Sequence, residues 1–97
     1  MADLEIYRRH TFGLVAIRAI AFAWAEHAED AYGMTCTYEE GELEDEVCFT
    51  RSGVQGRLVV THNSLKMNAR LGLMFYILRD SIESEIIKKL DDLLENA

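Results

Sequence analysis

Residues 34–71 read MTCTYEEGELEDEVCFTRSGVQGRLVVTHNSLKMNARL, and along this stretch apolar and polar residues alternate with a period of two. Such alternation is typical of strands that bury one face and leave the other face to water. Turn signals interrupt the pattern at Gly41, at a four-residue turn from Ser52 to Gln55 closed by Gly56, and at His62-Asn63. The stretch therefore predicts a meander of four antiparallel strands.

The alternation also predicts which side chains meet across the strands, because inward residues must face inward residues in an antiparallel ladder. Two apolar rows satisfy this condition: Cys36, Phe49, Leu58 and Met67 in one, and Tyr38, Val47, Val60 and Leu65 in the other. The opposite face carries polar residues, among them three cations: Arg57, Lys66 and Arg70. This parity places Cys36 and Cys48 on opposite faces, where they cannot form a disulfide.

Helices flank the predicted meander. Residues 3–9 alternate weakly and predict a first strand at a sheet edge. An alanine-rich stretch over about 12–32 has a helical period, with Thr11 as its expected N-cap and Gly33 as its end. The period returns to 3.6 at Leu73, which predicts a second helix of about 22 residues. We predict a single α+β domain over residues 1–97, in the order β-α-β-β-β-β-α, with about five antiparallel strands and two helices packed on one face.

Composition narrows the class of protein. The chain carries 17 acidic and 10 basic residues, a net charge of −7, which argues against binding to nucleic acid because phosphate backbones require positive charge. The longest apolar run, residues 71–78, is far shorter than the ~20 residues of a membrane span. The first residues lack the basic start and apolar core of a signal peptide, so we expect a cytoplasmic protein with reduced cysteines.

No catalytic, cofactor or metal residues are expected. The acidic residues of the first hairpin, which do not follow the calcium-loop spacing, are interpreted as a solvated tip: Glu39, Glu40, Glu42, Glu44, Asp45 and Glu46. The histidines and cysteines lack zinc-ligand spacing, and neither cysteine has a context that favours a thiolate. The best polar set for an enzyme is His10, Arg51 and Ser52, which would have to lie within ~8 Å of one another to exchange protons. An enzyme is therefore the least favoured interpretation.

The start of the second helix is apolar on every side, which a helix with a single buried stripe is not. Leu73, Met74, Tyr76 and Ile77 form a candidate interface in this segment. They would either add to the core under the first helix or remain exposed as a dimer or docking surface. Since this helix is also longer than the strands, we predict a homodimer formed through it.

The sequence resembles the family of polyhydroxyalkanoic acid system proteins, small bacterial proteins encoded near genes for polyester-granule synthesis. The resemblance covers nearly the whole chain and is carried by these segments: residues 9–11, Tyr32-Gly33, residues 49–56, residues 69–72, Ile82, Ile86 and residues 89–94. It implies a role around intracellular polyester granules, with a granule surface or a granule protein as partner, and it implies no reaction.

Two functions from different classes remain open. The first is a non-enzymatic accessory or granule-associated protein of polyester storage, which is what the resemblance implies. The second is a small apolar-ligand-binding domain with a reduced helix-grip arrangement, in which a ligand lies between the sheet and the second helix. That alternative requires a cavity near Phe49, Met67 and Ile82.

Overall fold

The computed structural model describes residues 2–96, in which five strands form one antiparallel sheet. The strands are β1 (Leu4–Arg9), β2 (Thr35–Glu39), β3 (Glu44–Arg51), β4 (Val54–Thr61) and β5 (Ser64–Leu71). Their order in the sheet is β1-β5-β4-β3-β2, so the meander runs from one edge and β1 adds to the last strand at the other edge. The predicted α+β fold and the edge position of the first strand are confirmed.

Three helices accompany the sheet: α1 (Leu14–Tyr32), α2 (Leu73–Ile77) and α3 (Arg79–Glu95). The predicted second helix is interrupted at Leu78, whose φ of −96° and ψ of 15° separate α2 from α3. The predicted N-cap Thr11 is wrong: α1 begins after Gly13, which has a φ of 80°, and no side chain caps it. Gly33 ends α1 in the left-handed conformation, with a φ of 65°, as predicted.

The register between β3 and β4 differs from the prediction by two residues. Val47 pairs with Leu58, and Phe49 pairs with Gly56 instead of Leu58. The cause is the turn, which has two residues, Ser52 and Gly53, where four were expected. A shift of two preserves which face each side chain occupies, so the inward set is correct although the rows are not.

The core lies between the sheet and the two long helices, which pack on one face of it. Ile17, Ala21, Trp24 and Ala28 of α1 are buried against the inward strand residues, and α3 contributes Ile86 and Leu90. Gly56 has a specific place here, because a Cβ atom at this position would overlap the ring of Phe49 on the neighbouring strand. Within residues 2–96 both cysteines are free, as the strand parity predicted.

Candidate functional site

Helix α2 exposes most of its apolar side chains. Leu73 is 80% exposed, Met74 81% and Ile77 76%, and no residue of α2 is buried. We call Leu73, Met74, Tyr76 and Ile77 the α2 patch. The interpretation of these four residues as additional core is wrong, because each of them is at least 44% exposed. The α2 patch is the largest cluster of exposed apolar residues in one element of the described chain.

The side chain of Phe75 anchors α2 to the sheet. Phe75 is half-buried against the β3–β4 turn, where a Cβ atom on Gly53 would lie 2.9 Å from two of its ring carbons. Gly53 has a φ of 85°, and its carbonyl accepts a 2.7 Å hydrogen bond from the Gly72 N–H. The turn therefore requires glycine twice over, for its backbone conformation and for the space that Phe75 occupies.

Arg51 joins three elements around this anchor. Its Nη1 donates a 2.6 Å hydrogen bond to the carbonyl of Tyr32 at the end of α1, and its Cζ lies 5.3 Å from the centre of the Phe75 ring. The guanidinium thus connects β3, α1 and α2, at the distance of a cation–π contact. Arg51 and Gly53 therefore both lie against Phe75 and hold α2 in place.

An apolar cavity of about 100 Å³ opens beside this anchor, between the sheet and the helices. Phe75 forms part of its wall, and Arg51, Tyr32 and Glu85 are its polar lining residues. The other lining residues are apolar: Leu4, Trp24, Ala28, Met34, Phe49, Val54, Leu71, Ile82 and Ile86. The expected neighbours Phe49 and Ile82 line the cavity, whereas Met67 lies elsewhere in the core.

Two groups near the cavity have distinctive polar environments. The Tyr32 hydroxyl donates a 3.4 Å hydrogen bond to Glu85, and burial, followed by the charge of Glu85, raises the pKa of Tyr32 so that it stays protonated. The indole Nε1–H of Trp24 is buried with no acceptor among residues 2–96, and its ring packs edge-on against Phe49. Trp24 is the one tryptophan of the sequence.

The structure does not bring His10, Arg51 and Ser52 together. His10 lies at the other end of β4, where its Nε2–H donates to the carbonyl of Thr61 at 3.0 Å and its Nδ1 accepts from the Phe12 N–H at 3.1 Å. Arg51 pairs with Val54, so seven residues of strand, about 23 Å, separate the two sites. Both ring nitrogens of His10 are therefore engaged in holding the chain between β1 and α1.

The prediction that Asp45 lies in a solvated hairpin tip is wrong. It is fully buried, and its carboxylate accepts from Arg18 Nε at 2.7 Å, Arg18 Nη2 at 3.0 Å, the Tyr38 hydroxyl at 2.7 Å and the Gly41 N–H at 3.1 Å. Burial alone would raise the pKa of Asp45, but these hydrogen bonds outweigh it and hold that pKa below its ordinary value. Asp45 has the parity of Val47 and Phe49, so the strand pattern did contain the signal.

The cysteines are not activated. Burial raises the pKa of the Cys36 thiol, and the negative charge of Glu29 raises it further. Burial also raises the pKa of the Cys48 thiol, together with the hydrogen bond that this thiol donates to Glu46. Both remain thiols near neutral pH, and a thiol is a poor nucleophile. Residues 2–96 contain no group of three His, Cys, Asp or Glu side chains that could hold a metal ion.

Comparison with known proteins gives one match. The family model described as "Putative polyhydroxyalkanoic acid system protein" matches residues 4–94, nearly the entire chain. No curated protein and no solved structure matches the sequence. In residues 2–96, no helix is long and apolar enough to cross a membrane.

Proposed function

The chain belongs to the polyhydroxyalkanoic acid system protein family, and from that premise we propose that it is a non-enzymatic accessory protein that docks on polyester granules through the α2 patch. In this proposal the protein is cytoplasmic and meets the granule at its surface. The observation that carries the proposal is the near-complete exposure of Leu73, Met74 and Ile77 on a helix that buries no residue. Exposed apolar clusters of this kind mark interaction sites.

The chemistry of the surface supports a polyester as the occupant. A polymer of hydroxyalkanoic acids presents ester and alkyl groups and carries no charge along its chain. A protein with a net charge of −7 is repelled by anionic lipid surfaces but meets no electrostatic barrier at a neutral polymer. The apolar patch can then supply the binding energy, at roughly 25 cal/mol per Å² of apolar surface removed from water.

A second copy of the chain is the other occupant to consider, since dimerisation through the C-terminal helices was predicted. Stable dimers bury about 800 Å² on each partner. A single exposed helix of five residues offers on the order of a few hundred Å², less than each partner of such a dimer buries. The size of the α2 patch therefore favours an extended surface over a second copy.

Sedimentation with amorphous polyester particles tests the proposal. We expect the purified wild-type chain to sediment with particles of poly(3-hydroxybutyrate), and a Leu73→Glu, Ile77→Glu double variant to bind at least about tenfold more weakly, because two apolar contacts are lost and two charges must be desolvated. The matched control is Val15→Glu with Leu43→Glu, which changes two side chains that are 82% and 83% exposed, one on α1 and one in the β2–β3 loop.

Three outcomes decide between the occupants. Loss of binding in the α2 variant alone supports docking through α2. Equal loss in both variants would mean that charge rather than the α2 patch matters, and the proposal would be wrong. The third outcome comes from light scattering of the free protein. If the wild-type chain is a dimer and the Leu73→Glu, Ile77→Glu variant is a monomer, a second copy of the chain covers the α2 patch.

A further inference from the structure

We propose that the cavity beside α2 receives the short alkyl side chain of a hydroxyalkanoate unit, with the unit's carbonyl oxygen at Arg51. This inference rests on the proposed function and names the chemical group that the docked protein recognises. It depends on three features of the site: the volume of the cavity, the polar groups that line it, and the position of the cavity relative to the α2 patch.

The volume limits the size of the group. A cavity of about 150 Å³ holds benzene, with its six carbon atoms, so the 100 Å³ of this cavity have room for about four non-hydrogen atoms. Most of the wall is apolar, including Leu4, Phe49, Ile82 and Ile86. A linear or branched alkyl group of three or four carbons therefore fills the cavity, and the end of a longer one would extend out of it into water.

The polar lining residues indicate what the alkyl group is attached to. Arg51 is exposed and lines the cavity, and among residues 2–96 its guanidinium donates one hydrogen bond, to the carbonyl of Tyr32. A guanidinium has five N–H groups, so others remain to donate to an oxygen of a ligand. Pockets of this type combine an apolar interior with a few polar groups that fix orientation.

The position of the cavity connects it to the docking surface. Phe75 forms part of the cavity wall, while its neighbours Met74 and Tyr76 belong to the α2 patch. A polymer chain lying on α2 therefore passes close to Arg51 and to the cavity. A 3-hydroxyalkanoate unit has the required form, since the carbon that bears its alkyl branch and its carbonyl carbon are two bonds apart along the chain.

Titration with small esters tests this assignment on the full-length chain. The probes are the methyl esters of 3-hydroxybutyrate, 3-hydroxyhexanoate and 3-hydroxydecanoate, whose alkyl branches have one, three and seven carbons. The readouts are the indole N–H resonance of Trp24 and the methyl resonances of Ile82 and Ile86, because these side chains line the cavity. We expect affinity to rise about tenfold from the first ester to the second, through two more buried methylenes, and to rise little further at the third, whose chain end stays in water.

Variants and matched probes test the two halves of the site. Val54→Leu, which adds one methylene at the cavity wall, should abolish the preference for the three-carbon branch. Arg51→Lys should weaken binding several-fold, because the ammonium cannot serve both the Tyr32 carbonyl and a ligand in the same geometry. 3-Hexanol has the same propyl branch on its hydroxyl-bearing carbon but no carbonyl group, and equal binding of 3-hexanol would overturn the role given to Arg51.

The free acid distinguishes a polymer unit from a soluble metabolite. Tighter binding of sodium 3-hydroxyhexanoate than of its methyl ester would identify a free hydroxy acid as the source of the group; tighter binding of the ester would identify the polymer. Absence of a saturable shift with every probe, or an affinity independent of branch length, would overturn the inference.

The inference and the proposed function fail separately. Leu73→Glu with Ile77→Glu should weaken binding to polyester particles at least about tenfold and leave the ester titration unchanged, since neither residue lines the cavity. A wild-type chain that titrates with esters but does not sediment would contradict the docking function alone. A chain that sediments but does not respond to esters would contradict the cavity assignment alone.

Discussion

Asp45 is the residue whose environment most constrains the fold around the first hairpin. Its carboxylate is 0% exposed and accepts four hydrogen bonds, two of them from Arg18 on α1. A buried charge is tolerated only when it is paired in this way. The network ties α1 to the β2–β3 hairpin, and four other acidic residues of that hairpin are exposed: Glu39, Glu40, Glu42 and Glu44.

We expect Asp45→Asn to destabilise the protein by about 1–3 kcal/mol, because the amide cannot accept all four hydrogen bonds and places an N–H₂ group against donors. Urea unfolding at pH 7 measures this, with Glu42→Gln as the control that should stay within about 0.5 kcal/mol of wild type. If Asp45→Asn lowers the free energy of unfolding by less than Glu42→Gln does, the hydrogen-bond network contributes nothing to stability.

The pH dependence of the same pair has a definite sign. The pKa of Asp45 is held below its ordinary value of 3.8 in the folded state, so its contribution is fully present above about pH 4 and is lost as pH falls further. The free energy of unfolding of wild type should therefore decrease more steeply below pH 4 than that of Asp45→Asn. Parallel curves would contradict the assignment.

Glycines in two turns separate backbone strain from the anchoring of α2. Gly33 and Gly53 both have positive φ, at 65° and 85°, but a Cβ atom meets nothing within 4 Å at Gly33 and meets the Phe75 ring at Gly53. We expect Gly33→Ala to cost about 1 kcal/mol through strain alone. Gly53→Ala should cost more and should also displace Phe75 from its position against the turn.

Amide hydrogen exchange distinguishes the two variants. The Tyr76 N–H donates to the carbonyl of Gly72, and the Leu78 N–H donates to the carbonyl of Phe75. In Gly53→Ala these two amides should exchange faster, while the amides of β4 and β5 keep their relative protection. In Gly33→Ala the α2 amides should not change relative to the rest of the chain. Faster α2 exchange in both variants would show that general destabilisation, not the loss of the Phe75 contact, is responsible.

Among the elements, the sequence predicted strands better than helix boundaries, for identifiable reasons. Period-two alternation fixed the inward face of every meander strand, because a slip of two residues leaves that face unchanged. For the same reason the alternation could not determine the register between β3 and β4. A two-residue turn at Ser52-Gly53 and a four-residue turn leave each side chain on the same face of the sheet. No proline or glycine marks the break at Leu78. The helical spacing of apolar residues continues across it, and the sequence therefore predicts one helix where the structure has two.

The candidate site was predictable in part for similar reasons. The apolar excess at Leu73, Met74, Tyr76 and Ile77 is visible in the sequence, but whether it is covered depends on the direction of α2, which a tertiary contact of Phe75 sets. The Arg51-Ser52-Gly53 sequence lies in one of the segments that carry the family resemblance, yet the contacts of Arg51 with Tyr32 and Phe75 join residues far apart in the chain. Such contacts leave no periodic trace.

In the whole molecule, the two long helices cover one face of the sheet and α2 extends at the end where Arg51 and Gly53 lie. The face of the sheet away from the helices carries mixed charges: Glu46, Arg57 and Lys66 occupy neighbouring strands there. Because that face is polar and α2 is apolar, the two surfaces favour different environments. A neutral apolar surface should therefore contact the protein at α2 and leave the open sheet face in water.

Hydrogen exchange of the wild-type chain, with and without poly(3-hydroxybutyrate) particles, examines this orientation. We predict that added protection is confined to residues 72–78 and the adjoining β3–β4 turn, with no change on β1 or β2. Protection of β1 and β2 with none on α2, in protein that has bound to the particles, would contradict docking through α2.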